Sequence, residues 1–321
     1  MNRLMVYHFI DHSGWGTMHN IILPLCKKYK NHKMFTLDSF SSELEIKNLK
    51  LYKNSMIIIH SSGSKSSYFI ENYKKLFGNK KIYIFMHTSV NYQILKKRDN
   101  FIDKLKNDDF IILVPSKEVA VQYKKYGITA ISIQLGINID TKKYKKYKKE
   151  LAPYYNKIVT TCSSKNDVYR YVKGIDRFEK LIYSLNLEDD ALIAGYNYYG
   201  SKIKSYKFSE EDFLNILAHS KVYVQLSRYE TYNISAVQAK RLKIPVLLLN
   251  VEGTASCMKE YVLKSEKDLK LKLQNILHGD YNKKVVNSNF KDSKKRESLA
   301  NFKRALEKEY YYEMQITKRT I

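Results

Sequence analysis

The stretch SRYETYNISAVQAKRLKIPVLLL, Ser227 to Leu249, places an acid, Glu230, between the apolar run Val222–Leu226 and a helix-like segment. A strand that ends in a polar turn and runs into a helix presents free backbone N–H groups and the positive end of the helix dipole, which suits a phosphate. Thr231, Tyr232, Asn233 and Ile234 lie at that helix start. Asn233 is expected to make a tight turn there almost as glycine would, because Asn tolerates positive φ. Arg170 and Lys173, in YRYVKGID, are the candidate cations. Arginine offers a planar fork for two phosphate oxygens, and lysine a point charge. Lys165 competes with Arg170 for that part. Glu230 reads as an acid placed for the helix dipole. His60 and His87 each follow a short β-rich run. Gly14 and Gly16 read as turn glycines.

The elements that must position these residues alternate. RLMVYHFI, SMIIIHSS, KIYIFMHTS, DFIILVPS and AISIQLGINID read as strands, with helices between them. After the lysine run KKYKKYKK (Lys142–Lys149), a second series begins near Leu151: KIVTTCSS, DALIAGYN, KVYVQLS and IPVLLLNV as strands. GIDRFEKLIYSL carries Ile175, Phe178, Leu181, Ile182 and Leu185 at helical spacing. Ser209 is the expected N-cap of SEEDFLNILAHS. Leu299, Phe302, Leu306 and Tyr310 suit a final amphipathic helix. Alternating strands and helices imply parallel sheets covered on both faces. Ligands of such sheets bind at the carboxyl ends of the strands.

The chain has 321 residues, 44% of them hydrophobic, enough for one large domain or two medium ones. Three cysteines (Cys26, Cys162, Cys257) lie far apart, without a CxxC pair, so neither a disulfide framework nor a zinc site is indicated. No apolar run reaches the roughly 20 residues of a transmembrane helix, and the first residues lack the apolar region of a signal peptide. A cytoplasmic location, with a membrane surface as the alternative, is the expectation. Lys and Arg total 57 against 32 Asp and Glu, a formal net charge of +25. Such a field attracts nucleic acid, anionic lipid or a phosphorylated substrate; dispersed lysines also arise from composition bias. KKYKKYKK reads as a solvated linker or as a segment for single-stranded nucleic acid.

HSKVYVQLSRYETYNISAVQAKRLKIPVLLLNVEG resembles the nucleotide-binding signature of GT-B glycosyltransferases, in particular the retaining family 4 group. Glu230 stands at the signature's first acid and Tyr232 at its aromatic. Asn233 stands where glycine is usual, Gln238 where a second glutamate is usual, and Lys243 in place of a glycine. VPSKEVAVQYKKYGITAISIQLGINID, YRYVKGIDRFEKLI, MHTS and SGWGTMHNIILPL resemble further motifs of the family in the right order, from about Arg3 to Gly253.

The resemblance implies two Rossmann-like α/β domains facing a cleft: an acceptor domain over 1–145, a nucleotide-sugar domain over 151–290, and a C-terminal helix over 291–321 packing back on the first. It implies a retaining, metal-independent transfer with a nucleotide-sugar as co-substrate and no cofactor. Glu230 would meet the donor sugar's hydroxyls and His87 would lie near the transferring sugar. Gly14 and Gly16 would let backbone approach the diphosphate, beside Lys173, Arg170, Thr231, Tyr232, Asn233 and Ile234. Gln238 would face the ribose, where an amide binds more weakly than a carboxylate. The acceptor is expected to be anionic or lipid-linked. A nucleic-acid-binding protein on the same scaffold and a non-catalytic relative are the alternatives.

Overall fold

A computed structural model describes residues 4–10, 18–36, 51–52, 54–61, 69–78, 80–254 and 262–319. The chain divides into two compact units: unit 1, Met1–Asn138 with Arg296–Ile321, and unit 2, Ile139–Lys295.

Unit 1 is built on a six-stranded parallel sheet in the order β2-β1-β3-β4-β5-β6. Its strands are β1 (Met5–Ile10), β2 (His32–Thr36), β3 (Ser55–Ser61), β4 (Ile82–Met86), β5 (Phe110–Val114) and β6 (Ala130–Ser132). Every residue of β3, β4 and β5 is buried, as continuous apolar runs in a sheet covered on both faces must be. The Leu299–Arg319 helix belongs to this unit. Leu299, Phe302 and Leu306 are buried, the Phe302 ring meets Phe85 edge-on at 6.0 Å, and Asn31 Nδ2 donates to Glu307 at 3.2 Å. The chain returns to the unit through Glu297–Ser298, which lies against Gly136–Ile137. A Cβ on Gly136 would stand 2.3 Å from the Ser298 carbonyl oxygen, so only glycine allows the return.

Unit 2 holds β7 (Ile158–Cys162), β8 (Ala191–Gly195), β9 (Lys204–Tyr206), β10 (Val222–Gln225), β11 (Val246–Leu249) and β12 (Val262–Leu263). Read from one edge, the order is β9-β8-β7-β10-β11-β12, all parallel. That is the 3-2-1-4-5-6 order of dinucleotide-binding folds, and its direction reverses between β7 and β10. Ser209 caps the Glu210–Ala218 helix through the Asp212 N–H, and Phe178 and Ile182 are buried on the helix after Gly174. The short strands β2, β9 and β12 are additions that the sequence did not announce.

After the Ile234–Arg241 helix, Lys243 takes φ 63°. A non-glycine residue in that left-handed conformation is strained by about 1 kcal/mol. Its ammonium lies 4.8 Å from the Phe290 ring, an exposed contact worth about 0.5 kcal/mol. Lys243→Gly is therefore expected to stabilise unit 2 slightly, by about 0.5 kcal/mol, despite losing that contact; an upward shift of its denaturation midpoint in urea checks it.

Candidate functional site

The polar residues of unit 2 converge on the carboxyl ends of β7 and β10, at the reversal of strand order. Thr161 Oγ1 bonds the Tyr223 hydroxyl at 2.9 Å and donates to Gln225 Oε1 at 3.0 Å. Gln225 Nε2 then donates to the Lys173 carbonyl at 2.7 Å. This network ties β10 to the end of the Asp167–Lys173 helix. Gly174, at φ 68° and ψ 35°, closes that helix in the left-handed conformation and starts the next one. A Cβ there would lie 1.9 Å from the Leu226 carbonyl oxygen. The absent side chain lets the helix junction sit directly on the end of β10.

Arg228 locks the same junction. Its N–H donates to the Val172 carbonyl at 2.8 Å. Its guanidinium donates to Tyr171 O at 2.7 Å, stacks on the Tyr171 ring at 3.8 Å, and binds both Asp176 oxygens at 2.7 Å. Beside Arg228 the Asp176 carboxyl is held below the ordinary aspartate value.

The consequence is the meeting of Lys173 and Glu230. Lys173 Nζ donates to Glu230 Oε2 at 2.7 Å, with the two side chains 21% and 8% exposed. Ser227 Oγ donates to the same oxygen at 3.4 Å. Burial pulls the Lys173 pKa down, but the Glu230 carboxylate outweighs it and holds the ammonium well above the ordinary lysine value. The stabilisation this gives is fully present below about pH 10.4 and is lost only as pH climbs through the raised value. The Glu230 backbone is fixed too: its N–H donates to Glu252 Oε2 at 2.8 Å and its carbonyl accepts from Gly253 at 2.8 Å.

Asn233 departs from expectation. Its φ is −81° and ψ 92°, so it makes no positive-φ turn. Instead it caps the Ile234–Arg241 helix, Oδ1 accepting from the Ala236 N–H at 2.9 Å. The physical reason is that a short amide side chain satisfies a helix-start N–H without leaving the extended region. Thr231 and Tyr232 are buried, Ile234 is half-buried, and Gln238 is buried on the same helix at 3% exposure. Arg170 is held by the Asn197 carbonyl and the Asp167 carboxylate, with its guanidinium 4.6 Å from the Tyr198 ring. It thus braces the loop after β8, while Lys165 lies over Tyr196. Gly14 and Gly16 lie outside the described residues, as does Cys257.

His87 lies in unit 1, one residue past β4, in a hydrogen-bonded run of four histidines. His87 Nε2 bonds His60 Nδ1 at 2.9 Å, His60 Nε2 bonds His8 Nδ1 at 2.9 Å, and His8 Nε2 bonds His32 Nδ1 at 3.0 Å. Phe85 stacks on His87 at 4.6 Å and on His60 at 5.6 Å. His60 was marked only by its place after a β-rich run, and His8 and His32 carried no motif; strand register brings the four together. Arg228 and Glu252 were missed because their partners are long-range. Among the described residues no group of three or more His, Cys, Asp or Glu is arranged to hold a metal ion, and no helix is long and apolar enough to cross a membrane.

No family model matches the sequence, and no curated protein matches it. Solved structures do. A UDP-forming α,α-trehalose-phosphate synthase from Burkholderia vietnamiensis matches with a TM-score of 0.70 at 10% identity, over 96% of this chain and 100% of that one. The Anabaena Alr3699/HepE protein, solved in complex with UDP-glucose, matches with a TM-score of 0.71 at 11% identity, over 96% and 100%. The E. coli trehalose-6-phosphate protein bound with UDP-2-fluoro glucose matches at 0.66 and 11%, over 95% and 98%.

Two predictions follow from the geometry. Lys173→Met leaves the Glu230 carboxylate buried without its cation, and is expected to destabilise unit 2 by about 3 kcal/mol in urea denaturation. Adding Glu230→Gln should recover most of that loss; a double variant as unstable as the single one would count against the pair as the cause. In unit 1, burial holds His8, His60 and His87 neutral, each below the ordinary value of 6.5, His87 at about 3. Their folded pKa values are depressed, so the unfolded chain takes up more protons below pH 6.5. Stability is complete above that value and falls as pH drops towards the folded values, His87 alone contributing a loss of roughly 2 kcal/mol at pH 5. A melting temperature that declines steeply between pH 6.5 and 5 checks it. With two six-stranded parallel α/β sheets and near-complete coverage of these structures, the chain has the GT-B fold.

Proposed function

We propose that this protein is a nucleotide-sugar-dependent glycosyltransferase that moves a sugar, with retention and without a metal, to an anionic or lipid-linked acceptor. The observation that carries the reading is the buried Lys173–Glu230 pair at the strand-order reversal of unit 2, where open parallel sheets take their ligands. Structures of the same fold are described as UDP-forming or as bound to UDP-glucose. In this reading Lys173 serves the diphosphate. An ammonium has three N–H donors, so one remains on Glu230 while the others meet phosphate oxygens. The helix start at Thr231–Ile234 adds its dipole, although Asn233 already occupies the Ala236 amide. Glu230, held by Ser227, Lys173 and its own backbone bonds, offers carboxylate oxygens to the donor sugar's hydroxyls. Gln238 faces the ribose, and His87 the transferred sugar.

Stabilisation of the departing charge comes from protein cations in a metal's place. The acceptor hydroxyl attacks on the face the diphosphate leaves, and its proton passes to the leaving phosphate. The +25 formal charge favours an acceptor that is itself charged or sits among anionic lipids, each nearby basic residue contributing about 1 kcal/mol at such a surface.

UDP-glucose, in the presence of EDTA, is expected to raise the melting temperature, by the equivalent of about 2.7 kcal/mol at a hundred times Kd. No shift, or a shift only with magnesium, would overturn the metal-free reading. Glu230→Ala should abolish sugar transfer and release of the nucleotide. Gln238→Glu should tighten nucleotide binding; unchanged affinity would remove Gln238 from the ribose. Pelleting with anionic but not neutral vesicles would support the acceptor class, and binding of RNA or DNA instead would replace it.

A further inference from the structure

We propose that His32, His8, His60 and His87 form one tautomeric unit, in which the proton position on His87 is coupled through His60 and His8 to that on His32 at the sheet edge. The proposal deepens the transferase reading and rests on it for one point alone, that His87 meets the transferred sugar.

Strand register places the four residues on one face of the sheet along a single diagonal. His32 pairs with Val6, and His8 lies two residues beyond Val6. His8 pairs with Ile58, and His60 lies two beyond. His60 pairs with Phe85, and His87 lies two beyond. A step of two residues along and one strand across is roughly 8 Å between Cα positions, and the side chains converge so that successive rings lie 5.2–5.3 Å apart from edge strand β2 past β4.

All three bonds have the same sense, joining an Nδ1 to an Nε2. A neutral imidazole carries one N–H and one lone pair. If His8 is protonated on Nε2 it donates to His32, and its Nδ1 must accept from His60 Nε2–H. His60 Nδ1 must then accept from His87 Nε2–H, and His87 Nδ1 is an acceptor. If instead His32 donates from Nδ1, every ring is the Nδ1–H tautomer and His87 Nδ1 is a donor. Any mixture sets two lone pairs or two N–H groups face to face. His8 and His60 are fully buried and His32 nearly so, so no solvent relieves such a mismatch, which costs about 1–3 kcal/mol. Burial also keeps His8 and His60 neutral, as the alternation requires. Phe85 stacks on both His60 and His87, whose rings are inclined 29° to one another.

The unit therefore decides whether His87 Nδ1 accepts from a sugar hydroxyl or donates to it. His60, His8 and His32 act as positioning residues. At the far end, His32 follows Asn31, which is bonded to Glu307 of the Leu299–Arg319 helix. Lys303 closes a salt bridge to Glu307 and lies 5.4 Å from the Tyr29 ring, itself 6.2 Å from His32.

The test is a long-range proton–nitrogen correlation spectrum of the whole protein labelled with nitrogen-15 histidine, at pH 7.5, where the two neutral tautomers give distinct patterns. His8, His32, His60 and His87 are expected to show one common tautomer; any one of the four in the opposite form overturns the proposal. Saturation with UDP-glucose should leave all four unchanged or switch all four, and a switch of His87 alone overturns it. In His8→Phe, His60 and His87 should still agree with each other, and disagreement overturns it; if that variant does not fold, the wild-type spectrum decides. The two readings fail separately. A common tautomer without binding of UDP-glucose or any other nucleotide-sugar of a donor panel removes the transferase reading, whereas donor binding with mixed tautomers removes this one.

Discussion

The close approach of Gly174 to the Leu226 carbonyl is the constraint on which the arrangement of unit 2 depends. A left-handed residue with no side chain ends one helix and begins the next directly over the end of β10. With the junction there, three backbone carbonyls of the ending helix are taken up by the strand side: Tyr171 and Val172 by Arg228, and Lys173 by Gln225. Helix-end carbonyls need such partners when buried. Lys173 is delivered to Glu230 as a result, since it is the last residue before the glycine.

The resulting ion pair is poised rather than simply stabilising. Removing two charges from water costs much of what their attraction returns, so the pair adds little over an apolar pair of the same shape while fixing both groups in place. What it gains is order: Glu230 is held by Lys173, Ser227, Glu252 and Gly253. In the proposed transferase, a ligand with both a diphosphate and hydroxyl groups would meet a cation and an acceptor already set, and its binding would need little rearrangement. The Asn233 cap serves the same end by fixing the helix start.

Most of this architecture was legible in the sequence, for a definite reason. Strands buried on both faces write themselves as apolar runs, so β1, β3, β4, β5, β7, β10 and β11 announce their places, and the turns after them locate the candidate residues. The edge strands β2, β9 and β12 are short or polar and write no such run. Lys173 and Glu230 were each marked by a local motif, but their contact spans 57 residues and rests on Gly174. Arg228 was hidden inside the very stretch that drew attention, because an arginine that clamps a helix junction has no local signature. Asn233 was misjudged since Asn has two ways to replace glycine at a turn, by tolerating positive φ or by capping, and the sequence does not choose between them. The histidine run was out of reach for another reason: residues separated by 24, 52 and 27 positions align only once parallel register is known.

Both units place a polar bond across the point where their strand order reverses. In unit 1 that point lies between β1 and β3 and is bridged by His8 and His60. In unit 2 it lies between β7 and β10 and is bridged by Thr161 with Tyr223 and Gln225. At such a point the connections leave to opposite sides, so a crevice opens beyond the strand ends. Neighbouring strands in the interior of a parallel sheet carry apolar side chains because helices cover them; at the reversal that cover parts. Polar side chains there must satisfy one another, which selects groups that both donate and accept: hydroxyls, an amide, neutral imidazoles. A charged pair in the middle of either bridge would need its own counterions. The neutral bridge instead links one strand to the next, and the charged pair, Lys173 with Glu230, is set beyond its outer end, where the proposed donor would share it.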